Sequence, residues 1–198
     1  GGQAIETGKA ATPAPMPPID ASTYECVTTL DRLDHWIAEA TKAGVVGFDT
    51  ETDSLEAVTA RLVGFSLATA PGTACYVPLA HGGTDMFAEK PEQIPLDAAL
   101  ARLKPLLEDA SVLKVGQNLK YDMSVLRQHG LSIAPFDDTM VMSFALDAGR
   151  QGHGMDELSE LWLGHKPISY KSLTGSGKSQ IGFAEVPLVE ATKYAAED

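Results

Sequence analysis

Between residues 45 and 79 the chain carries three largely apolar stretches, VVGFDTE, RLVGFSLAT and TACYVPLA, with PGT as a turn between the last two. The links are too short for a helical crossover, so the three strands are expected to be antiparallel neighbours. Around them, YECVTT reads as a strand. LDRLDHWIAEATKAG reads as a helix, with Leu33, Trp36, Ile37 and Ala40 on one face and Gly44 as its stop. HGGTDMFAEKPEQ is expected to be loop, and LDAALARLKPLLED a helix that Pro105 kinks or divides. SVLKVGQN reads as a short strand and LKYDMSVLRQHG as a helix ended by glycine. DDTMVMSFALDAG and MDELSELWLG read as helical, and HKPISYKSLTGSGKSQIGF as a long polar loop. VPLVEATKYAAED is a final helix cut off by the chain end. Strands first, then helices interleaved with one more strand, predict an α/β fold: a mixed sheet with helices on both faces.

The 198 residues suit one domain with its own core. Residues 1–21 are proline-rich around PAPMPP and lack apolar periodicity, so they read as a linker, with the domain over 22–198. No apolar run approaches a membrane span, and the N-terminus lacks a signal-peptide layout. Two cysteines, Cys26 and Cys75, outside any CxxC pair, favour a reduced, cytoplasmic setting. The net charge of −12 argues against a nucleic-acid partner, with two exceptions. Bound cations offset local carboxylates, and a neighbouring domain can supply a basic surface.

Three short constellations carry the chemistry. Asp49 and Glu51 stand two apart at the end of a strand, so their side chains share a face; Asp53 follows. Such a pair either repels or holds a hard divalent cation, Mg²⁺ or Mn²⁺. The alternative is that the strand ends at Phe48 and DTETD is a solvated turn. In VGQNLKYDMSVL, Asn118 and Asp122 are four apart, and the bland reading makes them an N-cap and a first-turn acid. In ATKYAAED, Tyr194 and Asp198 are again four apart, as in many amphipathic helices.

Taken together, DxE on a strand, then NxxxD, then YxxxD resemble the DEDD superfamily of 3′–5′ exonucleases, in the subgroup with tyrosine in the third motif. FDTETDSL, VGQNLKYD, MDELSELWLGHKPISY and KYAAED look like the proofreading domains of bacterial family A polymerases. The resemblance covers roughly residues 22–198. It implies a ribonuclease-H-like fold and two divalent cations, Mg²⁺ or Mn²⁺. Asp49, Glu51 and Asp198 would hold the first ion. Asp49 would bridge to the second, and Asp122 would support that ion, partly through water. Tyr194 would orient the attacking water; a free tyrosine pKa of about 10 suits a positioner better than a base. The expected product is a nucleoside 5′-monophosphate from a single-stranded DNA 3′ end.

By the same resemblance, Leu55 would wedge against terminal bases and Tyr170 would stack on one, while the Thr52 backbone, Gln117, Asn118 and Tyr121 line the strand's path. Without the resemblance, Leu55 reads as a buried loop anchor and Tyr170 as a half-exposed loop aromatic. In the family the last helix runs on into a polymerase domain, so the domain is expected to be truncated at Asp198. Alternatives are a ribonuclease D-like RNA-trimming enzyme, a silent domain bracing a polymerase, and a ribonuclease-H-like binding module. GSGKS at 175–179 is no phosphate loop, because Ser172 stands where the first glycine is needed. The histidines lack zinc-like spacing and receive no role. Trp36 and Trp162 are expected in the core.

Overall fold

The computed structural model describes residues 20–82, 91–149 and 151–198. Most of the expected linker and of the 81–93 loop lies outside them. The strands are β1 (Glu25–Cys26), β2 (Val45–Thr52), β3 (Leu62–Ala70), β4 (Thr73–Pro78), β5 (Leu113–Gly116) and β6 (Phe136–Asp138). They form one sheet in the order β1-β4-β3-β2-β5-β6. β2, β3 and β4 pair antiparallel, as their short links require, while β1, β5 and β6 join in parallel.

One face carries α1 (Leu30–Ala43) and α2 (Leu96–Glu108). Their Leu33, Trp36, Leu103 and Leu107 bury against Val46, Phe48, Phe65 and Leu67 of the central strands. The other face carries α7 (Leu188–Ala195), whose Ala191 and Ala195 pack with Val63, Tyr76, Phe183 and Val186. Alternation along β2 therefore sends Val46 and Phe48 into the larger core and Asp49 and Glu51 to the α7 side. β2 and β3 slip register between Glu51 and Thr52, a bulge that places Val63 on the α7 side as well.

The remaining helices are α3 (Lys120–Arg127), α4 (Thr139–Asp147), α5 (Met155–Leu158), which runs into a π-helical turn over Ser159–Leu163, and α6 (Tyr170–Thr174). Four expectations change. YECVTT yields only two strand residues plus one further bond, Val27 N–H to the Tyr76 carbonyl at 2.8 Å, before Thr29 caps α1. α2 runs through Pro105 undivided, held by Leu103, Leu106 and Leu107 on its buried side. The polar loop after His165 contains α6 and two 3₁₀ turns. Trp162 is 41% exposed rather than core. It lines one apolar pocket with Leu163 and the α4 residues Met142 and Leu146, while Leu161, Val141 and Phe144 are exposed as well. An apolar helix face is legible in a sequence, but what covers it is not.

Candidate active site

The site forms where β2 runs out under the end of α7. Asp49, Glu51 and Asp198 each offer a carboxylate oxygen, and these oxygens lie within 4.8 Å of one another. Asp49 and Glu51 arrive by strand alternation. Asp198 arrives because α7 ends at Ala195 and the chain turns there, with Glu197 N–H bonding the Tyr194 carbonyl at 3.1 Å. Asp198 thus follows the helix instead of lying on its face.

Asp122 stands outside that trio but faces it, and is itself 2% exposed. The β5–α3 turn puts it there. At Gly116 a Cβ would sit 2.6 Å from a Leu119 methyl and 2.7 Å from the Phe48 carbonyl, so only glycine passes. Asn118 then takes a left-handed φ of 57° and is not a helix cap. Asp138 secures the turn by accepting from the Asn118 and Leu119 backbone N–H groups at 3.0 and 2.9 Å, and it also caps α4. Asp122 in turn accepts from the Thr50 backbone N–H at 3.0 Å and the Thr50 hydroxyl at 2.5 Å, both on Oδ1. Oδ2 is left for another partner.

Four acids converge, and among the described residues no Lys, Arg or His forms an ion pair with any of them. The ion pairs of the described residues use Glu25, Asp34, Glu39, Asp53, Glu108, Glu190 and Glu197 instead. The carboxylates consequently resist ionising. Burial, with Asp122 and Asp198 nearby, pushes Asp49 well up; burial, with Asp49 and Asp198 nearby, does the same to Glu51. Burial lifts Asp122 to about 6 against the Thr50 bonds; Asp198 is exposed as a residue, but desolvation of its carboxyl among crowded protein atoms, with Glu197 and Asp156 adding, lifts it to about 7. Hard oxygen donors that crowd one another without a counter-charge fit a divalent cation. Asp53, the third acid of the DTETD run, pairs with Arg61 at 2.6 Å and takes no part.

A cleft of about 710 Å³ opens beside the trio. It is lined by Glu51, Thr52, Leu55, Tyr121, Tyr170 and Tyr194, among others. Burial, then Asp198 and Glu51, keep the Tyr194 hydroxyl protonated well beyond its ordinary range. Leu55 is 97% exposed, which rules out the buried-anchor reading. The Tyr121 hydroxyl holds the turn that presents Leu55, through Thr52 Oγ1 at 2.5 Å and the Ser54 carbonyl. Gln117 and Asn118 are not among the lining residues of this cleft. The Gln117 amide donates to the His153 carbonyl at 2.8 Å and accepts from Thr139 Oγ1. Gln117 lines a separate, smaller pocket whose wall also includes Asp49 and Asp198.

Sequence reasoning missed three supports. Thr50 and Asp138 are described above; the third is Glu197. Its carboxylate meets His165 Nε2 at 2.8 Å and accepts from the Ile168 N–H at 2.6 Å, which ties the end of α7 to the 165–168 segment. An aspartate directly before an apolar helix is a readable cap signal for Asp138. The partners of Glu197 lie 29 and 32 residues away, so no local pattern marks them.

The 3′–5′ exonuclease family profile matches residues 24–198. The chain belongs to that family. It is 52% identical over 194 residues to a DNA polymerase I of Rhizobium leguminosarum, covering 91% of this chain and 19% of the relative. The chain thus spans about one fifth of the length of the curated relatives it matches. Among solved structures, Escherichia coli RNase D aligns with a TM-score of 0.55 at 22% identity, over 75% of this chain and 36% of that one. Brucella melitensis NrnC with bound Mg²⁺ aligns at 0.52 and 23% identity, over 74% and 62%. These likenesses establish the ribonuclease-H-like α/β fold. Family and acidic cluster together make the domain a divalent-metal-dependent exonuclease domain of the DNA polymerase I kind. Among the described residues no helix is long and apolar enough to cross a membrane.

Proposed function

We propose that this domain removes nucleoside 5′-monophosphates, one at a time, from single-stranded or frayed DNA 3′ ends, as the proofreading part of a longer cytoplasmic chain that carries a polymerase domain. The observation that carries this reading is the carboxylate trio within 4.8 Å, set against a cleft whose walls include Leu55, Tyr170 and Tyr194. Asp49, Glu51 and Asp198 would hold one Mg²⁺ or Mn²⁺ and Asp122, with Asp49, a second. Bound there, the cations supply a nucleophile at neutral pH and neutralise charge on the departing 3′ oxygen.

The chain's own residues do the rest. Tyr194, kept as a neutral hydroxyl, orients the attacking water without acting as a base. Thr50 fixes Asp122 so that one carboxylate oxygen remains available. Leu55 and Tyr170 offer exposed apolar and aromatic surface to unpaired bases; stacking is worth about 1–3 kcal/mol per base and ignores sequence. A cleft walled by Glu51, Tyr121, Tyr170 and Tyr194 would take a single, unpaired strand, which favours melted, mismatched ends. Gln117 and Asn118 would contribute through the β5–α3 turn, outside the cleft wall.

The test follows shortening of 5′-labelled single-stranded DNA and RNA with Mg²⁺ or Mn²⁺. Stepwise loss from the DNA 3′ end, abolished by Asp49→Ala, is expected. Preferential RNA trimming would transfer the reading to ribonuclease D-like chemistry. Intact DNA in the presence of bound Mn²⁺ would make the domain a silent brace.

A further inference from the structure

His81 is 3% exposed, follows the end of β4 and touches none of the candidate ligands. Its contacts converge on the segment that launches α7. Nδ1 lies 3.2 Å from the Val186 carbonyl, which can only accept, so Nδ1 carries the proton. Nε2 is then the acceptor, and the buried Tyr76 hydroxyl donates to it at 2.7 Å. Burial lowers the His81 pKa, in keeping with this neutral form. The backbone reinforces the ring. Gln93 brackets His81, accepting from its N–H at 2.6 Å and donating to its carbonyl at 3.0 Å, while Gly82 N–H bonds the Ala184 carbonyl at 2.9 Å. Residues 184–186 are thereby pinned just ahead of Pro187, the residue that precedes α7.

Two further paths lead from this junction to the site. The His81 ring packs edge-on against Phe183 with centroids 5.6 Å apart. Phe183 lies 5.8 Å from Tyr194, and Tyr194 lies 6.2 Å from Tyr170. The Tyr76 phenol also passes over Gly64, the register partner of Glu51; a Cβ at 64 would sit 2.2 Å from its hydroxyl. A histidine that only filled space would need neither the fixed tautomer nor the paired backbone bonds.

We infer that His81 is a positioning residue for the exonuclease site, setting where the start of α7 and the Tyr194 ring lie against Glu51. This rests on the function proposed above for Tyr194.

The test uses the chain labelled with ¹³C at tyrosine, the Tyr194 ring signal being assigned by its loss in Tyr194→Phe. His81→Leu is expected to move that signal and to lower kcat on single-stranded DNA by roughly tenfold or more, with KM changed less than about twofold. The kcat loss should vanish in the Tyr194→Phe background, because the effect runs through that ring. His81→Asn, whose amide keeps a donor near Nδ1, should restore most of both readouts. An unmoved Tyr194 signal in folded His81→Leu, or a kcat loss that multiplies in the double variant, would overturn the inference and leave a core-filling histidine. Should His81→Leu not fold, Tyr76→Phe removes only the hydroxyl and is read in the same way. If Asp49→Ala cleaves as well as the parent, the exonuclease reading fails, while the Tyr194 signal still decides the positioning.

Discussion

Raising the pH on the metal-free domain should destabilise it, and adding Mn²⁺ should cancel the effect. Asp122 shows the sign and the size. Its ordinary pKa of 3.8 rises to about 6 in the fold because the carboxyl is buried. Between those values the folded state binds more protons than the unfolded one, so stability falls as pH rises. Stability due to the protonated carboxyl is full below about pH 4 and gone above about pH 6. About two pKa units at 1.36 kcal/mol each amount to roughly 3 kcal/mol from Asp122 alone. Asp49 and Glu51 are raised as well and add in the same direction. The assay is urea unfolding from pH 4 to 8 in chelator and again with Mn²⁺, for the parent and for Asp122→Asn. The parent in chelator should lose about 3 kcal/mol or more across the range, out of a total stability on the order of 10. Asp122→Asn, with nothing left to ionise at that position, should show a shallower fall. A flat profile in chelator, or a fall that Mn²⁺ leaves untouched, would refute the claim that these acids are buried without a counter-charge.

Three further perturbations probe the scaffold. Gly64→Ala would press a methyl onto the Tyr76 hydroxyl at 2.2 Å and its ring carbons at 2.4 and 2.6 Å, and should cost about 1–3 kcal/mol in a urea titration that Tyr76→Phe, which keeps the ring, does not recover. Asp138→Ala removes acceptors from the Asn118, Leu119 and Met140 N–H groups and should cost about 2 kcal/mol, while Asn118→Gly at the same left-handed turn should be close to neutral. Tyr121→Phe frees the turn carrying Leu55 and should raise KM for single-stranded DNA severalfold while leaving kcat within about twofold, as measured by steady-state cleavage.

Local pattern carried a good deal of this domain. The short links of 45–79 dictated the antiparallel trio of strands, because no crossover fits them. Period-two alternation put Asp49 and Glu51 on one face. The spacing logic was less exact elsewhere. Asn118 and Asp122 share no helical face, since Asn118 precedes α3 in a left-handed conformation, and Asp198 falls past the end of α7. Both departures come from turns whose geometry depends on distant atoms: the Phe48 carbonyl beside Gly116, and Asp138 across from Asn118. Trp162 illustrates the same limit, since its helical period marks an apolar face without saying whether anything covers that face.

By itself the sequence singled out the candidate residues and most of the elements near them, since side-chain type and short-range periodicity are local properties. Tertiary structure alone decided that the Asp49, Glu51 and Asp198 oxygens come within 4.8 Å, and that Thr50 holds Asp122 from 72 residues away. It also decided that a histidine without a motif sits at the junction of β4, Phe183 and α7. Such contacts arise from sheet order, burial and the low dielectric of the core, none of which is a property of any single stretch of chain.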